Sequence, residues 1–138
     1  MDSALAPLFE ESIEQVCARE RNALQELIDL RDGRIVLFGA GTLGRRALSL
    51  LTQIGYPPLA FSDNNQKAWS SQVEGLPVLP PADAARRYGT SALFLVTIWN
   101  DRHWFKETWQ QLTGLGCTLV SSLVFVPSLL AAIGPPRP

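Results

Sequence analysis

The chain has 138 residues, of which 46% are hydrophobic and 18% charged, with a net charge of −1. That is the composition of one ordinary globular domain, long enough to bury roughly two thirds of its unfolded surface and to fold without staples. Near-neutrality excludes a general attraction to nucleic acid or to an anionic membrane. The charge is unevenly spread, since residues 1–33 carry eight acids and three bases while residues 34–138 carry five acids and nine bases. The mildly basic body suits a phosphate-bearing ligand. Cys17 and Cys117 stand far apart without a Cys-x-x-Cys or histidine partner pattern, so neither a disulfide framework nor a metal site is indicated. Both read as buried free thiols. No run approaches ~18 uninterrupted apolar residues and the acidic start lacks a signal-peptide pattern, which makes a cytoplasmic location the expectation.

In chain order, a loose start through Pro7 leads into Leu8 to Leu30, where Ile13, Val16 or Cys17, Leu24, Leu27, Ile28 and Leu30 recur at helical spacing. Glu10, Glu11 and Glu14 suit the positive end of that helix, and Gly33 is its natural stop. The apolar stripe either packs on its own domain or pairs with a second copy in a homodimer.

Next comes the densest signal. Ile35 to Phe38 is a short apolar run that reads as a buried strand, and it breaks at Gly39-Ala40-Gly41 before Leu43, Ala47, Leu48 and Leu51 resume at helical spacing. Gly39, Gly41 and Gly44 make the G-x-G-x-x-G arrangement of dinucleotide-binding turns. There the first glycine permits the tight turn, the second lets a pyrophosphate approach the backbone, and the third lets helix and strand pack closely. The start of the helix, with the N–H groups of Thr42 and Leu43, offers donors and a positive dipole end to an anion. A second strand, Pro58 to Ser62, ends in Asp63, which lies 19 positions beyond Gly44. That is where such folds hold a ribose-binding carboxylate. Glycines also serve turns and helix packing with no ligand present, so a ligand-free scaffold stays open.

Beyond Asn64 and Asn65, the second of which reads as a turn-builder, Gln72 to Leu79 predicts two short extended segments turned at Glu74-Gly75. Pro80-Pro81 opens a helix over Ala82 to Tyr88 that Gly89 ends. Ala92 to Thr97 is a central strand, and Asn100 or Asp101 is placed to cap a helix running through Trp104, Phe105, Trp109 and Leu112 to Gly114 or Gly116. Trp104 and Trp109 are expected to bury against the sheet. Thr118 to Val126 predicts one or two last strands, Pro127 to Ile133 a short helix, and residues 134–138 a Pro-rich tail or linker. Alternating strands and helices imply an α/β fold of three layers, Rossmann-like, with a mainly parallel sheet over residues 34–133 preceded by the long helix of residues 1–33.

The stretch Ile35 to Val78, with Phe-Gly-Ala-Gly-Thr-Leu-Gly-Arg, then Phe-Ser-Asp-Asn-Asn and Trp69 six positions after Asp63, then Glu-Gly-Leu-Pro-Val-Leu, resembles the Rossmann-like N-terminal domain of FkbM-type methyltransferases. Val96 to Asn100 and Gln111 to Cys117 are similar to the second half of that domain. The resemblance also covers part of the N-terminal domains of bacterial nucleotide-sugar acyltransferases. It implies binding of a nucleotide-sugar, a role that carries onto Gly39, Gly41, Thr42, Leu43, Asp63 and Asn64. The family's methyl transfer needs a second domain for S-adenosylmethionine, which would begin where this sequence stops at Pro138, so that activity belongs at most to a further C-terminal part. Asp63 and the tight turn fit a dinucleotide such as NAD(P) or a nucleotide-sugar, and S-adenosylmethionine less well.

Other residues are read against plainer roles. Thr97, Trp99 and Asn100 follow the fourth strand at the same edge as the glycine turn and are candidates to contact a base or sugar, with core packing the rival for Trp99. Arg45 or Arg46 is a candidate phosphate donor, against a place on the outer helix face. His103 with Asp101 is a conceivable acid–base pair, against a surface histidine. Tyr56 and Tyr88 are followed by Ala60 and Ala92 where a short-chain dehydrogenase has lysine, so an oxidoreductase acting alone ranks last. Ahead of it stand a non-catalytic nucleotide-binding module serving a methyltransferase and an interaction module that docks through its first helix.

Overall fold

The computed structural model describes residues 12–98 and 104–123. In chain order these form α1 (Ile13–Asp29), β1 (Ile35–Phe38), α2 (Thr42–Gln53), β2 (Ala60–Ser62), a single 3-10 turn (Gln66–Ala68), β3 (Gln72–Val73), β4 (Leu76–Leu79), α3 (Pro81–Tyr88), β5 (Leu93–Val96), α4 (Phe105–Gly114) and β6 (Val120–Ser122). The sheet runs β3-β4-β2-β1-β5-β6, and every pairing is parallel except the β3–β4 hairpin. The chain therefore steps outward from β1 to β2 and β4, then crosses back over β1 to β5 and β6. That reversal leaves a crevice at the carboxyl ends of β1 and β5, where open α/β sheets bind ligands.

Helices cover both faces of the sheet, so its central strands have no wet side. Ile35, Leu37, Leu93 and Leu95 face a core shared with Leu24 and Ile28 of α1 and with Leu43, Ala47 and Leu51 of α2. Val36, Phe38, Phe94 and Val96 face the other core, with Ala84 and Ala85 of α3 and Leu112 of α4. This is why β1 and β5 are unbroken apolar runs rather than alternating ones. Cys117 lies in the second core, where burial pushes its thiol up to about 11 and keeps it protonated.

The second half of α1 packs on its own sheet. Its start is fixed by a reciprocal cap, in which the Ser12 hydroxyl accepts from the Gln15 N–H at 3.1 Å and the Gln15 side chain accepts from the Ser12 N–H at 2.8 Å. The helix stops at Asp29, just short of the expected Leu30, and the Gly33 N–H (φ +78°) donates to the Ile28 carbonyl at 3.0 Å. Gln25 ties the helix to the loop after α2, its amide donating to the Tyr56 hydroxyl at 2.5 Å.

The hairpin turns at Glu74-Gly75 as expected, with both residues at positive φ, the signature of a two-residue primed turn. Two expectations for α4 are corrected. Its cap is Trp104, not Asn100 or Asp101, and Trp104 and Trp109 are 67% and 46% exposed instead of buried. The stripe that α4 turns to the sheet is Phe105, Thr108 and Leu112, and the tryptophans fall outside it. The expected helix from Leu8 is corrected to one that begins at Ile13, behind the extended Ser12 cap, while residues 8–11, Val124 to Val126 of the last strand, the terminal helix and the tail lie outside the described residues. Among the described residues no helix is long and apolar enough to cross a membrane.

If α1 is a structural part of this core, Ile28→Ala (1% exposed) lowers stability by about 2–5 kcal/mol. Leu30→Ala (63% exposed), at the end of the same helix, stays within ~0.5 kcal/mol of the parent, as thermal or urea unfolding would measure.

Candidate functional site

The glycine turn sits at the carboxyl end of β1, and its three glycines have different reasons to lack a side chain. Gly39 has φ +120°, and a β-carbon there would meet the Thr97 carbonyl oxygen at 2.9 Å. A β-carbon on Gly44 would lie 2.0 Å from the Gly39 carbonyl oxygen, so α2 can pack this close to the turn only through a bare α-carbon. Gly41 is unlike both: its φ is −82°, open to any residue, and a β-carbon on it would meet nothing within 4 Å. Nothing in the described structure requires glycine at that position.

Gly41 is also the N-cap of α2, and no side chain caps it. Helix geometry leaves the N–H groups of Thr42, Leu43 and Gly44 without partners inside the helix, at its positive dipole end. No acidic residue stands in that first turn. Gly41 and Thr42 are exposed, whereas the Leu43 side chain is buried in the core, so any contact Leu43 makes with a ligand comes from its backbone.

Asp63 faces the turn. One carboxylate oxygen accepts from the Ala40 N–H and the other from the Asn65 N–H, both at 2.9 Å. A carboxylate has about four acceptor sites, so two such bonds leave room for further donors. The Trp69 indole N–H donates to the Asp63 carbonyl at 2.6 Å and fixes the backbone from behind. Asn65 builds the turn, its side chain accepting from the Lys67 N–H at 3.1 Å. Asn64 points elsewhere: its amide exchanges two hydrogen bonds with Gln111 of α4, at 3.1 and 2.6 Å, which ties the loop after β2 to that helix.

Thr97 stands beside the turn, 3% exposed, with its hydroxyl 2.9 Å from the Gly39 carbonyl and 3.3 Å from that of Phe38. Its hydroxyl thus braces the turn. Arg45 is exposed and lines a groove of about 590 Å³ between α2 and the β3–β4 hairpin, with Leu48, Glu74 and Leu76. That groove lies on the flank of α2 and not over the glycine turn. Trp99, Asn100, Asp101 and His103 lie outside the described residues. The roles of Trp69 and Gln111 were missed by sequence reasoning. The spacing of Trp69 from Asp63 was visible without its meaning, and the Gln111 contact has no local signal.

No protein-family model matches the chain, and no curated sequence does. Among solved structures it is similar to UDP-D-quinovosamine 4-dehydrogenase from Vibrio fischeri, at 20% identity and TM-score 0.52, over 70% of this chain and 85% of that one. The fold is Rossmann-like. It is also similar to RSP, a Rex-family repressor, at 16% identity and TM-score 0.53, over 80% of this chain and 62% of that one. A structure of RSP in complex with β-NADH matches at 15% identity and TM-score 0.50, over 72% and 57%. The chain spans less than two thirds of the length of RSP. No FkbM-type methyltransferase is among these likenesses.

If the turn is braced as described, Thr97→Val leaves the Gly39 carbonyl without its buried donor at nearly unchanged volume. The expected loss is about 1–3 kcal/mol in denaturant unfolding, with no ligand present.

Proposed function

We propose that this chain is a nucleotide-binding module that holds a nucleotide-sugar or a dinucleotide and serves a sugar- or metabolite-modifying enzyme of the FkbM methyltransferase kind. The phosphates lie against the N–H groups of Gly41, Thr42, Leu43 and Gly44, and Asp63 accepts from the ribose hydroxyls. The observation that carries this reading is Gly41, which has open space where a side chain would be, no positive φ to justify it and an uncapped helix behind it. A ligand's phosphate oxygens supply the missing cap. Asp63 supports the sugar half, because its carboxylate is already aimed at the turn through Ala40. The similar structures, a UDP-sugar dehydrogenase and a repressor in complex with NADH, support the same two ligand classes. The methyltransferase connection rests on the residue patterns from Ile35 to Val78, from Val96 to Asn100 and from Gln111 to Cys117. Among the described residues no acid, base or nucleophile is assigned, and methyl transfer would need a further domain.

The test is titration with NAD, a UDP-sugar and S-adenosylmethionine, followed by amide resonances. NAD or the UDP-sugar is expected to shift Gly41 and Thr42 first, and no response to any of the three would remove the proposal. Gly41→Ser sharpens the result. Serine is a better N-cap than glycine by a few tenths of a kcal/mol, so the fold keeps or gains stability, while its hydroxyl takes the N–H groups a phosphate needs. Affinity is expected to fall about tenfold, which is ~1.4 kcal/mol.

A further inference from the structure

α4 carries a feature that the binding reading above has not used. Trp104 caps the helix that follows β5, so it stands at the carboxyl edge of the sheet, beside the strand that neighbours β1. It is 67% exposed, the most exposed of the large apolar side chains among the described residues. A large aromatic left open at the rim of a ligand crevice is more informative than a scattered surface leucine.

Trp104 is the N-cap, with extended backbone (φ −106°, ψ 116°), so the helix places its α-carbon and not the direction of its side chain. Gln111 follows Trp104 by seven residues, about 20° short of two full turns, so the two α-carbons lie on one flank of α4. Gln111 pairs through both amide bonds with Asn64, and the next residue back is Asp63, whose carboxylate holds Ala40 of the glycine turn. That flank of α4 therefore overlooks the Asp63 loop, and Trp104 extends it about 10 Å beyond Gln111, outward from the sheet edge. Trp109 is rotated from Trp104 by about 140° and falls on the opposite side of the buried stripe formed by Phe105, Thr108 and Leu112. Of the two exposed tryptophans, only Trp104 has its α-carbon on the flank that meets the proposed ribose site.

We propose that Trp104 is the surface on which the base of the bound nucleotide stacks. This rests on the binding reading above: with phosphates on the turn and ribose on Asp63, the base is the next group outward, and a flat indole stacks on any base without reading its edges. The site then takes nucleotides as a class, and discrimination among bases falls to other contacts.

The experiment compares the whole chain with Trp104→Leu, Trp104→Phe and Trp109→Leu, by calorimetric titration with NADH and with UDP-glucose. Trp104→Leu is expected to weaken whichever nucleotide the parent binds about tenfold, Trp104→Phe to recover most of that loss, and Trp109→Leu to bind as the parent does. In the unmodified chain the indole N–H resonance of Trp104 shifts on titration while that of Trp109 stays in place, a readout that needs no substitution. Parent-like affinity in Trp104→Leu, or a silent Trp104 resonance in a chain whose Gly41 and Thr42 amides respond, overturns the stacking proposal and leaves the binding reading intact. A parent chain that binds neither nucleotide overturns both.

Discussion

The Gly39 carbonyl and the α-carbon of Gly44 approach so closely that a single added carbon would sit 2.0 Å from the oxygen. That contact decides where α2 begins and which way its N-terminus points, and the rest of the edge is arranged to hold it. The Gly39 N–H donates to the Ser62 carbonyl at 2.8 Å, the Thr97 hydroxyl approaches the Gly39 carbonyl, and the Asp63 carboxylate takes the Ala40 N–H. Three attachments from β2, β5 and the loop after β2 thus fix a turn of a few residues. A turn braced in this way has its donor geometry set before any ligand arrives, so little ordering would remain to be done on binding.

The division of labour between the two faces follows from the same topology. α1 and α2 share one face, with α1 bound to the body through Leu24, Ile28 and the Gln25–Tyr56 bond, so the acidic first helix is part of the core it precedes in sequence. α3 and α4 take the other face, and α4 reaches across to the loop after β2, through Gln111 and Asn64. The crevice edge is therefore walled from both layers.

The parts of this architecture that were legible in the sequence are those encoded within a few residues. The unbroken apolar runs of β1 and β5 declare strands covered on both faces, the glycine spacing declares the turn, and Glu74-Gly75 declares the hairpin. The α4 tryptophans were misjudged because burial was assigned by residue type, whereas burial on a helix is decided by azimuth. Phe105, Thr108 and Leu112 take the inward stripe and leave Trp104 and Trp109 on its flanks. Thr97 was placed at the right edge, but which way a hydroxyl turns at a strand end depends on the neighbouring strand's carbonyls, here those of Phe38 and Gly39. Asn64 pairs with a residue 47 positions away, a separation that no periodicity records. The Ser12–Gln15 cap was missed, and with it the helix start, although a serine three residues before a glutamine at the head of an apolar stripe is its signature.

A G-x-G-x-x-G pattern is ambiguous because one string of letters compresses three physical demands. The structure separates them. At Gly39 the demand is dihedral and steric, at Gly44 it is a steric contact with a backbone oxygen, and both hold whether or not anything binds. At the middle position neither demand applies, because its backbone conformation suits every residue and its surroundings are open, so for folding alone only its place as the cap of α2 would matter. Serine, asparagine or aspartate there would cap α2 better than glycine does. A carboxylate at that position would also repel an incoming phosphate, and a hydroxyl or amide would compete for the same N–H groups. A bare cap leaves those donors to something outside the chain, and Asp63, bonded to Ala40 of the same turn, sets a second polar group beside them.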